Sequence, residues 1–599
     1  VRFAELARAY EQLEATTKRL EMRSILVELI RSVEGPELGI VLYLSQGLLR
    51  PEYEGVELGV AGSLALKALA RATGEEEAAI ARQARTSGDL GTTAAELLES
   101  ASRREEAKPL EVPEVYARLL DVARANGAGS QEAKVAILEE LLRRANPLEG
   151  KYLLRFVLGT LRVGVREMTM LDALAERFAP GEKPARHAIE AAFNMTSDLG
   201  LIAERLAAGG IPALERLGLT VGRPIRPMLA ERSNSLADIL ERMGGRAALE
   251  YKYDGLRVQA HIARDGSVRL FSRRLEEIGP QFPDLIEALG SAIGRRPAII
   301  EGECAPIDPT TDELRPFQEV SRRRGRKRDL DRMQEEVPVA LFAFDVLMDG
   351  GEAVYQLPFP ERRRRLETLL VPNEGIRLAE DRVVTSLDEA TRFFDEAVAG
   401  GAEGVMAKSL QEGSSYQAGA RGFWWIKYKR EYVTGLADSI DGVIVGAFSG
   451  RGRRGGRFGA FLLAVYNART QRYESFCKVG SGFDDAALVE MPRRLHPHAA
   501  AERPLDVDTG IRADAWFRPA IVIEVRGAEL TLSPIHRAGI GRVKPEAGLA
   551  LRFPRFTGRY RDDKGPTDAT TTDELLELYR SQSHGAAPAA DAVRLGPKT

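Results

Sequence analysis

The residues with the most chemical potential lie in the run Glu250-Tyr-Lys-Tyr-Asp-Gly-Leu-Arg257. If the backbone is extended through Lys252, alternation puts Glu250 and Lys252 on one face. A lysine beside a carboxylate and an arginine, followed by Gly255, also describes an ordinary solvated turn. The balance shifts with the groups that follow in order. Phe271-Ser-Arg-Arg274 reads as a strand end carrying paired cations, and Ile300-Glu-Gly-Glu303 places two carboxylates on one strand face. Phe342-Ala-Phe-Asp345 sits in an apolar strand, and Glu403-Gly-Val-Met-Ala-Lys408 joins a carboxylate to a lysine. Trp425-Ile-Lys-Tyr-Lys429 alternates so that Trp425, Lys427 and Lys429 share a face, and Arg552-Phe-Pro-Arg-Phe556 leads to Asp562, Asp563 and Lys564.

Taken singly, each group has a plain structural reading. Phe344 suits a core ring, Glu303 half of a salt bridge, and two strand lysines the protection of a sheet edge. Together they point elsewhere. If Lys252, Lys427 and Lys429 converge, their charge is costly to concentrate unless an anion sits there. Carboxylates at Glu303 and Glu403 among such cations suit a metal-bound polyphosphate.

The elements that must position these groups follow from pattern. The first ~220 residues carry helical stripes, such as Phe3, Leu6, Ala7, Tyr10 and Leu13, at spacings of three and four. Gly222-Arg-Pro-Ile-Arg-Pro227 breaks that pattern as an extended linker. From about Ala247 short strands mix with helices, including a buried strand over Val337–Leu347. A helix is expected over Leu387–Val398, where Ser386 and Glu389 have capping-box spacing. After about Tyr432, strands at Gly442–Phe448, Ala460–Tyr466, Tyr473–Val479 and Ile521–Val525 alternate with glycine turns, as in a small barrel or sandwich. The tail from Ser583 has little apolar periodicity and reads as disordered.

Composition bounds the class. The chain has 599 residues, which at roughly 100–200 residues per domain implies several domains. It is 44% hydrophobic and 29% charged, as folded proteins are, and its net charge of -3 does not by itself announce a nucleic-acid partner. Two cysteines, Cys304 and Cys477, exclude a disulfide framework and a four-cysteine zinc module. His496 and His498 flank Pro497 in a polar turn rather than forming a ligand cluster. No run of about 18 apolar residues occurs, so a soluble intracellular protein is expected. The local clusters Arg322–Arg328, with six cations in seven residues, and Arg451, Arg453, Arg454 and Arg457 suit sequence-independent phosphate contacts. Arg362 to Arg365 reads as a solvated helix face.

The order of these motifs resembles the ATP-dependent DNA ligase family, whose nucleotidyltransferase core is shared with RNA ligases and capping enzymes. The resemblance spans roughly residues 1–580. Tyr152-Leu-Leu-Arg155 through Leu161-Arg-Val-Gly-Val165 is similar to the helical DNA-binding domain of these ligases, and Arg226-Pro-Met-Leu-Ala230 to the entry of their adenylation domain. Ser415-Tyr-Gln-Ala-Gly-Ala-Arg-Gly422 is also typical of them. The layout is nearest the archaeal and bacterial single-chain type.

The resemblance implies an all-α DNA-binding domain over 1–220, an α+β adenylation domain over 221–432, an OB-fold domain over 433–582 and a disordered tail over 583–599. It implies ATP as AMP donor and nicked double-stranded DNA as partner, with roles in replication, repair and recombination. Lys252 would be the nucleophile. Glu250 would accept from the adenine amino group, Phe344 would stack on the base, and Arg257 and Arg273 would hold ribose and phosphate. Glu303 would bind the ribose hydroxyls, and Arg421, Lys427 and Lys429 would contact phosphate oxygens. Glu403, with Glu303 as second candidate, would bind Mg²⁺. Arg552, Arg555, Asp562 and Lys564 would orient the leaving pyrophosphate. A monomer in the cytoplasm, associated with the nucleoid, is expected, with a sliding clamp as a candidate protein partner and no membrane contact. Hinges are expected at Gly222–Pro227 and at the glycines near 442.

Three positions depart from the family pattern. Leu256 stands where a polar residue is usual, Thr160 replaces a common lysine, and the Arg552–Lys564 motif is one residue longer than in many eukaryotic relatives, which leaves Arg559 and Arg561 unaligned. An RNA-directed nucleotidyltransferase would not need the long helical region. An NAD-dependent ligase would carry the missing zinc module. A non-catalytic DNA-binding scaffold would be expected to have lost Lys252, Glu403 or Lys427, and all three are present.

Overall fold

The structure, a computed structural model, describes the chain apart from residues 101–107, 162, 309, 312, 316, 322, 324–329, 431–438, 451–457 and 582–599. The tail, most of the 322–328 cluster and the arginines at 451–457 therefore lie outside the described residues.

The first 213 residues are helical, with twelve α-helices from Phe3–Glu14 to Leu199–Gly209 among the described residues. The expected stripe is the buried one: Phe3, Leu6, Ala7, Tyr10 and Leu13 enter the apolar core that these helices share. Helix α1 (Pro147–Val157) shows how locally this region is specified. Asn146 accepts from the Glu149 N–H at 3.0 Å while the Glu149 carboxylate accepts from the Asn146 N–H at 2.8 Å, and Pro147 fills the first turn.

Thereafter strands β1 (Ala247–Tyr251), β2 (Leu256–Ile262), β3 (Val268–Ser272), β4 (Ala298–Pro306), β5 (Val339–Asp349), β6 (Ile376–Leu378) and β7 (Asp381–Val384) follow, with helix α2 (Phe359–Leu369) between β5 and β6. Their sheet order is β3-β2-β4-β5, antiparallel throughout, with β6 parallel along β5, while β1 pairs antiparallel with β7 in a separate sheet. Register sets Arg257 opposite Glu303 and Gln259 opposite Glu301. Leu256, the apolar departure noted above, is buried against Cys304 across the β2–β4 pair. Helix α3 (Leu387–Ala399) starts where the cap spacing puts it, with Ser386 Oγ accepting from the Glu389 N–H at 3.3 Å. Strands β8 (Gly404–Ser409) and β9 (Arg421–Lys429) complete this α/β region.

The C-terminal region is β-rich. Strands β10 (Ile440–Ser449), β11 (Phe458–Asn467) and β12 (Arg472–Val479) form an antiparallel meander. β13 (Val522–Arg526) pairs with β10, and β14 (Arg555–Tyr560) pairs with β13, giving an OB-like half-barrel around Ile444, Phe461, Phe476 and Ile523. Gly442, expected at a hinge, lies inside β10 opposite Ile523, where a Cβ would meet Leu463 and Phe476 at 3.0 Å. It is a packing glycine. His496–His498 forms a short 3₁₀ turn.

The chain divides into two compact units. One comprises Val1–Glu231, Leu240–Thr385 and Ala407–Ile426; the other comprises Arg232–Ile239, Ser386–Met406 and the chain from Lys427 onward.

Candidate functional site

In the first unit the most concentrated chemistry surrounds the end of β1. Glu250 is the last buried residue of that strand, and its Oε2 lies 2.7 Å from Lys408 Nζ. The lysine is 0% exposed. Its ammonium also donates to the Phe344 carbonyl at 2.9 Å and lies 4.6–4.8 Å from the ring centroids of Phe344, Phe359 and Trp425. A cation is held here by one carboxylate, one carbonyl and three π-faces, which offsets much of the cost of removing it from water. Burial drives the Glu250 carboxyl up and the Lys408 amine down from their ordinary values, and their mutual attraction opposes both shifts. The other carboxylate oxygen, Glu250 Oε1, is buried with no hydrogen-bond partner among the described residues.

Two residues on, Lys252 is half-buried and stands between two fixed tyrosines. The Tyr251 N–H donates to the Glu380 carbonyl at 2.9 Å, and Tyr253 OH accepts from the Glu380 N–H at 3.2 Å. Tyr253 also stacks on Phe342, centroids 4.0 Å apart and planes 16° from parallel. Gly255 closes the turn because nothing larger fits: a Cβ would lie 2.4 Å from the Cys304 carbonyl oxygen and 2.9 Å from Glu303 Cγ. The turn that follows Lys252 is thus pressed against the strand that carries Glu303.

Arg257 is the next fixed group. It donates to Glu301 Oε2 and to the Met228 carbonyl, both at 2.7 Å, and its guanidinium lies 5.4 Å from the Phe344 ring centroid and 5.5 Å from that of Trp425. Tyr416 OH donates to the same Glu301 oxygen at 2.9 Å. Burial lowers the affinity of Arg257 for its proton, but Glu301 outweighs this and holds the guanidinium charged. Phe344 remains partly exposed and meets Trp425 in a T-shaped pair, centroids 6.0 Å apart. Glu303 is part-buried on β4. Arg273 and Arg421, by contrast, are exposed cations.

In the second unit Glu403 precedes β8 and pairs with Lys429 at 2.8 Å. Gly404, at φ +148°, permits this approach, because a Cβ there would lie 2.3 Å from the Tyr428 carbonyl oxygen. Lys427 is part-buried on β9. In the half-barrel, Arg552 pairs with Glu529 at 2.8 Å and Asp562 with Arg494 at 2.8 Å, while Arg555 is exposed at the start of β14. Lys564 Nζ and Arg561 Nη1 both donate to Asp441 Oδ2, at 2.7 and 2.5 Å.

The structure therefore brings Glu250, Arg257 and Phe344 together and joins Glu403 to Lys429. In the first unit it adds Lys408, Glu301, Tyr416 and Trp425, and in the second Asp441 and Arg561, to none of which the sequence reading gave a role. Lys408, Glu301 and Trp425 stood inside quoted motifs and could have been found there; Asp441 lies far from Lys564 in sequence and carried no signal. The solvated-face reading of Arg362 to Arg365 is overturned for its first half. Arg362 is 0% exposed and grips Asp345 at 2.8 and 2.9 Å, and Arg363 is buried against Asp381 at 2.6 Å. Helix α2 packs on β5 with that edge, leaving Arg364 exposed. Arg155, in the helical region, is likewise interior and pairs with Glu14 and Asp89.

No group of three or more His, Cys, Asp or Glu able to hold a metal ion occurs among the described residues. Also among these residues, no helix is long and apolar enough to cross a membrane.

Comparison with known proteins agrees along the chain. Residues 2–175 match the family described as DNA ligase N terminus, 227–429 the ATP dependent DNA ligase domain, and 454–564 the ATP dependent DNA ligase C terminal region. A protein named DNA ligase 2 from Thermofilum pendens is 46% identical over 593 residues, covering 98% of each chain. A probable DNA ligase from Aquifex aeolicus is 44% identical over 577 residues, covering 96% of this chain and 98% of that one. Among solved structures, one titled Pmar-Lig_PreS3 shares the fold at a TM-score of 0.53 and 17% identity, over 93% of this chain and 99% of that one.

Proposed function

The chain belongs to the ATP-dependent DNA ligase family, and on that premise we propose that it seals nicks in duplex DNA through an adenylate carried on Lys252. The observation that carries the assignment is the buried Glu250 beside it. One carboxylate oxygen is fixed by Lys408 while the other has no partner among the described residues. An acceptor of that kind, beside a partly exposed aromatic ring, suits the amino edge and π-face of a purine. The nucleophilic lysine two residues away then lies within the span of one nucleotide.

In the first step the Lys252 amine, neutral when it attacks, forms an N–P bond to the α-phosphorus of ATP, and pyrophosphate leaves. The AMP is then transferred to the 5′-phosphate at a nick, regenerating the lysine. The 3′-hydroxyl attacks that activated phosphate, the phosphodiester forms and AMP departs. Arg257, charged and held by Glu301, serves the ribose and phosphate side, with Arg273, whose exposure leaves it available to a ligand. Glu303 takes the ribose hydroxyls. Arg421, Lys427 and Lys429 face phosphate oxygens as the α-phosphorus gains charge. Arg552, Arg555, Asp562 and Lys564 of the half-barrel orient the pyrophosphate in the first step.

Mg²⁺ fits these residues. It is a hard cation that keeps water and phosphate ligands, so it asks only one or two carboxylates of the protein. Glu403 is the carboxylate we assign to it, with Glu303 as second candidate, and when bound it would neutralise polyphosphate charge. We further assign 1–220 to DNA binding, 221–432 to adenylation and 433–582 to the OB-fold domain.

The test is self-adenylylation. Protein stripped of bound AMP with pyrophosphate is incubated with α-labelled ATP and Mg²⁺, denatured and examined for label, with Lys252→Ala alongside. Label on the wild type alone, chased into a nicked duplex, is the expected result. Equal label on both proteins would remove Lys252 as the nucleophile.

A further inference from the structure

Strand β2 presents Arg257, Gln259 and His261 at alternate positions, hence on one face. All three side chains bind the backbone of the linker at 222–228. Arg257 Nη1 donates to the Met228 carbonyl at 2.7 Å. Gln259 Oε1 accepts from the Ile225 N–H at 2.8 Å, and its Nε2 donates to the Ile225 carbonyl at 3.2 Å. His261 Nδ1 accepts from the Gly222 N–H at 3.0 Å. The imidazole is thereby fixed as the tautomer with its proton on Nε2, which lies 2.9 Å from Gln259 Oε1. Gln259 is 5% exposed and His261 0%.

The same network enters the nucleotide site. Gln259 Nε2 also donates to Glu301 Oε1 at 3.2 Å, and Glu301 Oε2 takes the Arg257 and Tyr416 donors. Tyr416 OH in turn accepts from the Met228 N–H at 2.8 Å, returning the chain of bonds to the linker. The circuit is largely shielded from water, so its bonds are not exchanged cheaply, and of its donors Arg257 Nε is buried with no partner among the described residues. Beyond the linker, Arg269 on β3 donates to the Gly222 carbonyl at 3.0 Å and to the carbonyl of Tyr53, in the helical region, at 3.4 Å.

We infer that Gln259 and His261 are positioning residues for nucleotide binding. They hold the 222–228 linker against β2 and, through Glu301, set the geometry of Arg257. The linker is then a strap that reads the state of the nucleotide site, not a hinge. Order in the linker and affinity for ATP become two expressions of one coupling and must change together. This rests on the assignment of Arg257 to the nucleotide.

The experiment pairs two readouts on the full chain stripped of AMP: self-adenylylation against ATP concentration, and hydrogen exchange of the 222–228 amides. In Gln259→Met, the ATP concentration for half-maximal labelling should rise about tenfold, with the maximal rate held within about twofold, and the Gly222 and Ile225 amides should exchange faster. Faster exchange with unchanged ATP dependence would overturn the inference, as would no change in either. If Gln259→Met does not fold, the wild type decides. ATP should slow exchange at Gly222 and Ile225, and labelling without that slowing overturns the coupling. A wild type that takes no label sinks the nucleotide reading itself, so the two failures are distinct.

Discussion

Lys408 Nζ lies 2.7 Å from Glu250 Oε2, and the two side chains are buried together beneath Phe344 and Trp425. The lysine opposes the upward pull that burial exerts on the Glu250 carboxyl. Remove the lysine and burial is opposed only by the Arg363 charge, so the carboxyl is driven further up. Lys408→Met should therefore cost about 3–5 kcal/mol of stability, the usual cost of stranding one partner of a buried pair. It should also raise the ATP concentration for half-maximal labelling roughly tenfold or more. The double variant Glu250→Gln/Lys408→Met should recover much of the stability, read by urea unfolding, without recovering ATP affinity. Recovery of both would show that the pair is structural only.

Arg362 and Asp345 form a second buried pair, both 0% exposed. The arginine is further satisfied by the carbonyls of Leu357 at 2.6 Å and Ser414 at 2.9 Å. Arg362→Met should destabilise by about 3–5 kcal/mol, whereas Arg364→Met, one turn face away and exposed, should change stability by less than about 0.5 kcal/mol. Equal melting temperatures for the two variants would restore the solvated-face reading of this helix.

His261 supplies a pH dependence with a definite sign. Burial, helped by the nearby Arg269 charge, lowers its folded-state value from 6.5 to about 3. Between those values the unfolded chain binds a proton that the folded chain refuses. The contribution is therefore complete above about pH 6.5 and declines by about 1.4 kcal/mol per unit as pH falls toward 3. Unfolding free energies of wild type and His261→Gln, measured from pH 7 to pH 4.5, should converge as pH falls. Parallel curves would mean that the imidazole is not held neutral.

Asp441 binds Arg561 and Lys564 through one oxygen, and its side chain is only 8% exposed. Lys564 is assigned to the leaving pyrophosphate, which concerns the first step alone. Asp441→Asn should slow self-adenylylation by about tenfold, from the loss of one charge-assisted bond to each cation, and leave sealing of a pre-adenylated nick within about threefold. A uniform loss in both assays would make Asp441 a general support of the half-barrel.

Much of this protein was legible without coordinates. The helix stripe through Phe3 and Leu13, the Ser386 cap and the strands around Val339 and Phe461 follow from local periodicity and capping chemistry, which act within one turn or one pleat. The run from Glu250 to Arg257, and its order with Glu303, Phe344, Glu403 and Lys429, was likewise readable, because each member sits in a short segment of distinctive composition.

What the sequence by itself determined is therefore the type of element that carries each candidate group. Only the tertiary structure decided their partners. Lys408 meets Glu250 across 158 positions of chain, Asp441 meets Lys564 across 123, and Gln259 meets the Ile225 backbone across 34. Local pattern cannot encode such pairings, since a charged residue on a helix or strand looks the same whether it faces water or a partner. Arg362 and Arg364 make the point within one helix: identical side chains two positions apart, of which one is sealed against Asp345 and the other is solvated, because only one faces the strand that α2 covers.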